Sequence, residues 1–165
     1  MIVFFGKNGS NVLNLLYLGF PIKAAFTNRK DSDLLKILNE LKIPTYINSK
    51  NIKKDLEKID HKLIVLLGYM KILDKEITDN FNIINIHPSI LPNYKGLNAF
   101  ERSFYSKKHT GITYHYINEN LDSGEIIEKI KLDYSGLNLS QAKLYLKYNE
   151  YMHTPKIILQ EYAKC

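Results

Sequence analysis

The segment that most restricts this chain is KLIVLLG, residues 62–68, in which every position from Leu63 to Leu67 is apolar. A strand with one wet face alternates apolar and polar residues. An unbroken apolar run this short reads as a strand covered on both faces, the central strand of a largely parallel sheet with helices above and below. Two other segments fit that sheet, IVFF at 2–5 and FNIINIH at 81–87, the latter halted by Pro88. Between and beyond them the period changes. VLNLLYLGF (12–20) has helical spacing, KAAFTN (23–28) reads as a strand, and DSDLLKILNELKI (31–43) as a helix. Asp31 or Ser32 stands where a helix cap is wanted, and Leu34, Leu35, Leu38 and Leu41 share one face. TYIN (45–48) is a short strand and KKDLEKI (53–59) a short helix, while NAFERSFYSK (98–107) is a further helix. GITYHYIN (111–118) and GEIIEKIKL (124–132) are strands joined by a tight Asp-Ser-Gly turn, and LSQAKLYLKYNEYM onward is a long helix with a bend expected at Pro155. The fold class is therefore α/β, a mostly parallel twisted sheet with helices on both faces, whose ligands gather at the carboxyl ends of the strands.

Repeats and Pro/Gly/Ser linkers are absent, so residues 1–165 are expected to form one domain. The lone cysteine, Cys165, allows neither a disulfide framework nor a cysteine metal site, which suits a reducing cytoplasm. No stretch reaches the roughly 20 apolar residues of a membrane span, and MIVFFGKNGSN lacks the basic leader of a secretory signal, so Met1 is expected to begin the fold. The formal charge of +6 comes from scattered lysines, and acidic residues interrupt the densest cluster at 50–62. A nucleic-acid binder more often carries a contiguous basic stripe with aromatics between. A solvated lysine surface, or a modest attraction for a small anionic substrate, accounts for this balance.

Three loops carry candidate chemistry. GKNGSN (6–11) follows the first strand and opens a helix. Gly9 allows close backbone approach, Ser10 and Asn11 offer side-chain donors, and a helix start favours an anion such as a phosphate monoester. Such a loop is as often a plain turn, and it matches neither a Walker loop nor a dinucleotide fingerprint. In Asn85-Ile86-His87-Pro88, residues two apart on a strand share a face, so the Asn85 amide and His87 imidazole point together. Proline after His87 holds it extended at the strand end. Alone, His87 could be merely structural; with Asn85 it makes an oxyanion site. Asn120-Leu121-Asp122-Ser123-Gly124 is by itself a turn device, and gains a functional meaning only with a partner.

Residues 82–127 carry N-x-H-P-S-x-L-P, K-G-L-N-A, T-G-x-T-x-H and L-D-x-G-x-I-I in order, and in this the chain resembles the folate-dependent formyltransferases. Its nearest likeness is to the branch acting on glycinamide ribonucleotide in purine biosynthesis. N-G-S-N (8–11), A-x-F-T-N ending at residue 28, and L-G-Y-M-K-I-L (67–73) extend the resemblance over most of the chain. The resemblance implies a Rossmann-like fold and a catalytic trio of Asn85, His87 and Asp122. It implies a ribonucleotide-phosphate loop at Gly9, Ser10 and Asn11, and ribose contact by Glu150 in the last helix. Met70, Lys71, Ile72 and Leu73, with Asn85, are implied to lie along 10-formyltetrahydrofolate, the one-carbon donor. No metal is implied. The partner is a small phosphorylated amine; neither nucleic acid nor membrane is expected, and the protein would be a monomer or homodimer. On this view the Asp122 charge raises the protonated fraction of His87.

The chain departs from that family in being trimmed around 18–22 and 48–62. An arginine usual near the folate has no counterpart, since Arg29 and Arg102 are the only ones. Lys50, Lys53 or Lys54 could stand in as a point charge, without the planar fork of arginine; Lys71 also stands where arginine is common. Two other functions share the same motifs: formylation of a nucleotide-linked amino sugar, and folate binding by an inactive relative. A formate-releasing hydrolase or a methionyl-tRNA formyltransferase would carry a further domain.

Overall fold

A computed structural model describes residues 1–6 and 9–165. Lys7 and Asn8, part of the first glycine loop, lie outside the described residues. The sheet has the order β3-β2-β1-β4-β5-β6-β7. Strands β1 (Ile2–Phe5), β2 (Ala24–Thr27), β3 (Thr45–Ile47), β4 (Ile64–Leu67) and β5 (Ile83–His87) run parallel. Strands β6 (Gly111–Tyr116) and β7 (Ile126–Lys131) extend the sheet in antiparallel fashion. All four residues of β1, β2 and β4 are buried, as a doubly covered strand requires.

Alternation along the strands sorts the core into two layers. On one face Val3, Phe5, Val65, Leu67, Ile84 and Ile86 pack under α1 (Ser10–Tyr17), α2 (Asp33–Glu40), α5 (Ala99–Ser106) and α6 (Leu139–Lys164). On the other, Ile2, Phe4, Ile64, Leu66 and Ile83 meet Leu56 of α3 (Ile52–Glu57) and Ile77 of α4 (Lys75–Thr78). Cross-strand register places Phe4, Phe26 and Tyr46 side by side, and their rings stack at 4.6 and 4.5 Å. Ile83, Asn85 and His87 share this second face, yet its apolar layer stops at Ile83. Beyond that point loops replace helices as the cover, and there the polar residues begin.

The order of strands reverses between β1 and β4, the place where open α/β sheets bind ligands. The glycines ending these strands are needed for the approach: a Cβ on Gly6 would come within 2.2 Å of the Gly68 carbonyl oxygen. Gly9 stands at the start of α1 with φ of +64°, and a side chain there would strike Leu34.

The local expectations hold with three differences. Ser32 occupies the start of α2 but makes no side-chain cap; its hydroxyl is buried without a partner among the described residues. Leu41 falls just past the helix and is exposed, whereas Leu34 and Leu38 are buried. The turn between β6 and β7 is not tight: Tyr116 and Glu125 pair, leaving a loop over 117–124 that carries Asp122. Helix α6 is continuous over its 26 residues with Pro155 inside it. Proline deprives the Tyr151 carbonyl of its helical donor at a cost of about 3 kcal/mol, and the Asn14 side-chain amide supplies a substitute at 3.1 Å. Together with the Asn11 contact to Glu150 one turn earlier, this bond fastens α1 to α6.

Candidate active site

The structure brings Asn85, His87 and Asp122 together at the carboxyl end of β5. His87 and Asp122 are 3 % and 9 % exposed, so what surrounds them decides their chemistry. Thr113 of β6, directly across from His87, rigidifies the turn behind it: its hydroxyl donates to the Ser89 carbonyl at 2.7 Å and accepts from the Leu91 N–H at 3.0 Å. Asp122 has a left-handed backbone, φ of +46°, which lets its loop fold back over the strand ends.

His87 Nε2 lies 3.0 Å from the Tyr94 carbonyl oxygen. A carbonyl can only accept, so Nε2 carries a proton. His87 Nδ1 faces Asp122 Oδ2 at 3.3 Å. With Nε2 protonated, Nδ1 of a neutral ring is a bare lone pair, and a proton arriving between it and the carboxylate turns this contact into a hydrogen bond. Asp122 Oδ2 also accepts the Gly96 N–H at 2.8 Å. Burial pushes the His87 imidazole below its ordinary value; the Asp122 charge and the Tyr94 carbonyl oppose this without overcoming it. The Asp122 charge acts in the expected direction, raising the protonated fraction of His87, but desolvation is the larger effect and the net direction is downward.

A second imidazole enters the cluster. His115, fully buried on β6, stands opposite Asn85, and the Asn85 amide nitrogen lies 3.3 Å from His115 Nε2. Asp122 Oδ1 is 3.7 Å from the same nitrogen. The sequence signal was T-G-x-T-x-H at 110–115, where Thr113 and His115 alternate onto one face; only the antiparallel register reveals which residues they meet.

Around this cluster the loops present apolar side chains to solvent. Met70 and Ile72 follow β4, Leu97 follows β5, and Leu121 adjoins Asp122; all are more than half exposed. Lys71 is exposed as well, but Leu73 turns inward to the α4 core layer. The proposed segment 70–73 is therefore divided between surface and interior. Of the lysines offered as substitutes for the missing arginine, Lys53 is engaged with Glu76 and Glu57.

A separate polar cluster joins α1 to α6. Asn11 Nδ2 donates to Glu150 Oε2 at 2.9 Å, and both residues are more than nine-tenths buried. Lys147 pairs with the same carboxylate oxygen. Asn11 Oδ1 is buried with no partner among the described residues. Ser10 is half-buried as the first residue of α1 and Gly9 is buried before it. The pairing of Lys147 with Glu150 was not legible in the sequence, since a lysine on a mostly polar helix looks like surface.

Comparison with known proteins fits this geometry. Residues 30–157 match the family model described as formyl transferase. A phosphoribosylglycinamide formyltransferase of Haemophilus influenzae is 31 % identical over an alignment of 171 residues, covering 93 % of this chain and 81 % of that protein. A methionyl-tRNA formyltransferase of Campylobacter lari is 33 % identical, but this chain spans only 48 % of its length. Among solved structures, a phosphoribosylglycinamide formyltransferase of Coxiella burnetii in complex with CHES superposes with a TM-score of 0.87 at 29 % identity, covering 99 % of this chain and 86 % of that one. Its counterpart from Anaplasma phagocytophilum gives 0.82 at 30 %, with coverage of 95 % and 83 %. The family match extends over most of the chain and includes both strands and the loop that assemble the Asn85, His87 and Asp122 cluster, so this protein belongs to the formyl transferase family.

Proposed function

We propose that the protein transfers a formyl group from 10-formyltetrahydrofolate to the amine of glycinamide ribonucleotide, with Asn85, His87 and Asp122 as the catalytic residues. The observation that carries this reading is Asp122: a buried carboxylate that accepts the Gly96 N–H and faces His87 Nδ1 at 3.3 Å and His115 Nε2 at 3.7 Å, with no lysine or arginine pairing to it among the described residues. A carboxylate so placed is free to take and return a proton.

The residues present fit a folate. The exposed Met70, Ile72, Leu97 and Leu121 supply an apolar border for a flat heteroaromatic group beside the Asp122 cluster, and Asn85 offers an amide to its formyl oxygen. When bound, the donor supplies a one-carbon unit at the oxidation level of formate. The Asn85 amide donates to the oxygen that gains charge as the amine adds. The Asp122 carboxylate accepts the proton the amine must lose, and His87 Nδ1 at 3.3 Å shares it until it is returned to the departing nitrogen. Because His87 rests largely neutral, the proton it carries during turnover comes from the substrate amine.

The amine substrate suits the second cluster. Asn11 Oδ1 is an acceptor lacking a donor, and Glu150 is a further acceptor, which together favour the hydroxyls of a ribose. The α1 N-terminus, at Gly9 and Ser10, and the Lys147 ammonium favour its phosphate. The test is incubation with 10-formyltetrahydrofolate and a panel of amines, read by mass spectrometry. Formylated glycinamide ribonucleotide is the expected product; formylation of a nucleotide-linked amino sugar alone would overturn the acceptor assignment.

A further inference from the structure

Asn85 and His115 form a pair whose two members determine each other. His115 is fully buried. Its Nδ1 lies 2.8 Å from the Tyr116 carbonyl oxygen, which can only accept, so Nδ1 carries the ring proton. In a neutral ring Nε2 is then a bare lone pair. Of the two ends of the Asn85 carboxamide, only the nitrogen can face it, at 3.3 Å. Asp122 Oδ1 is too distant from Nε2, at 3.7 Å, for a hydrogen bond that would impose the other tautomer. Burial also opposes a second proton on the ring and prevails over the attraction of Asp122. A carboxamide at a strand end, without such a partner, would turn freely between presenting N–H and presenting C=O.

We propose that His115 is a positioning residue: its Nδ1-protonated tautomer fixes the direction of the Asn85 carboxamide, so that the second N–H of Asn85 is held for the oxygen that gains charge. The inference rests on the formyl-transfer reading above. It assigns His115 no contact with substrate; its effect passes wholly through Asn85. The alternative is that His115 merely fills the layer under β6, in which case its loss would act independently of Asn85.

A double-mutant cycle separates the two. His115→Leu removes the lone pair, and kcat is expected to fall about tenfold, the scale of one lost hydrogen bond, with little change in KM for either substrate. In the Asn85→Ala background the same substitution is expected to change kcat by less than about twofold, because the group it acts through is gone. His115→Gln, which can place an oxygen acceptor where Nε2 stood, is expected to recover most of the lost turnover. Equal losses from His115→Leu in both backgrounds, or a glutamine variant as impaired as the leucine one, would overturn the proposal. Long-range 1H–15N correlation spectra of the unliganded wild-type protein provide a second readout, which needs neither variants nor substrate. They should show His115 protonated at Nδ1 and bare at Nε2 near neutral pH; a proton on Nε2 contradicts the proposal even if formyl transfer is established. The predicted tautomer in a protein that formylates no amine would instead overturn the functional reading and leave the Asn85–His115 pairing intact.

Discussion

Two buried carboxylates, Asp122 and Glu150, stand in polar clusters of opposite design. Glu150 has a permanent cation in Lys147 and a neutral amide donor in Asn11, and it sits on a helix. Asp122 has two imidazoles and the Gly96 N–H, and it sits on a loop in a left-handed conformation. A carboxylate that accepts from a lysine and an amide presents acceptor oxygens in a fixed direction, which is the requirement for holding hydroxyls. A carboxylate beside a neutral imidazole has a neighbouring lone pair with which an incoming proton can be shared, which is the requirement for assisting an amine. Burial alone does not distinguish a binding carboxylate from a reacting one. On the function proposed above, the neighbours of each make the difference.

Breaking the reacting side is expected to have the larger effect. His87→Ala removes the imidazole 3.3 Å from Asp122, and turnover should drop on the order of a hundredfold in steady-state assays of a protein with unchanged circular dichroism. Turnover near that of wild type in such a folded variant removes His87 from the chemistry. On the binding side the consequence is smaller and falls elsewhere. Glu150→Ala and Asn11→Ala should each raise the KM for the ribonucleotide by roughly tenfold, the value of one or two polar contacts. Both should weaken thermal protection by the ribonucleotide while leaving protection by folate unchanged. Loss of both protections together would mean that the α1–α6 junction holds the fold rather than the substrate.

The smallest effect concerns pH. Burial lowers the pKa of both His87 and His115 relative to the ordinary value of 6.5. The unfolded chain therefore takes up protons below about pH 6.5 while the folded protein still resists them, and stability declines as pH falls through that range. The melting temperature should accordingly fall with acidification from neutrality, and His87→Gln and His115→Gln should each flatten the decline. An unchanged slope in both variants would place the acid sensitivity on other groups.

Much of the fold was legible because burial on both faces leaves a plain mark: the apolar runs at 2–5 and 62–68 became β1 and β4, and Pro88 ends β5 at His87. The pairing of Asn85 with His87 followed from strand alternation alone. His115 escaped, since its meeting with Asn85 depends on antiparallel register, which no local pattern encodes. The loop segments were read least well. Leu73 joins the core while Met70 and Ile72 remain outside, and residues 117–124 form a wide loop where a tight turn was expected, because loops carry no periodicity from which a side chain's direction can be inferred. The short helix α4 went unnoticed for want of length. For His87 the sequence displays the charged neighbour, whose effect has the expected sign, but not the depth of burial that outweighs it.

The division of labour between the two carboxylates is tested most directly by single-turnover formyl transfer, measured over a range of glycinamide ribonucleotide concentrations at saturating 10-formyltetrahydrofolate. Wild type, Asp122→Asn and Glu150→Ala are compared. Asp122→Asn should lower the limiting rate by about a hundredfold or more while the concentration giving half that rate stays within about twofold. Glu150→Ala should raise that concentration and leave the limiting rate nearly unchanged. A limiting rate for Asp122→Asn within a few-fold of wild type, or a loss by both variants in the same parameter, would contradict the account.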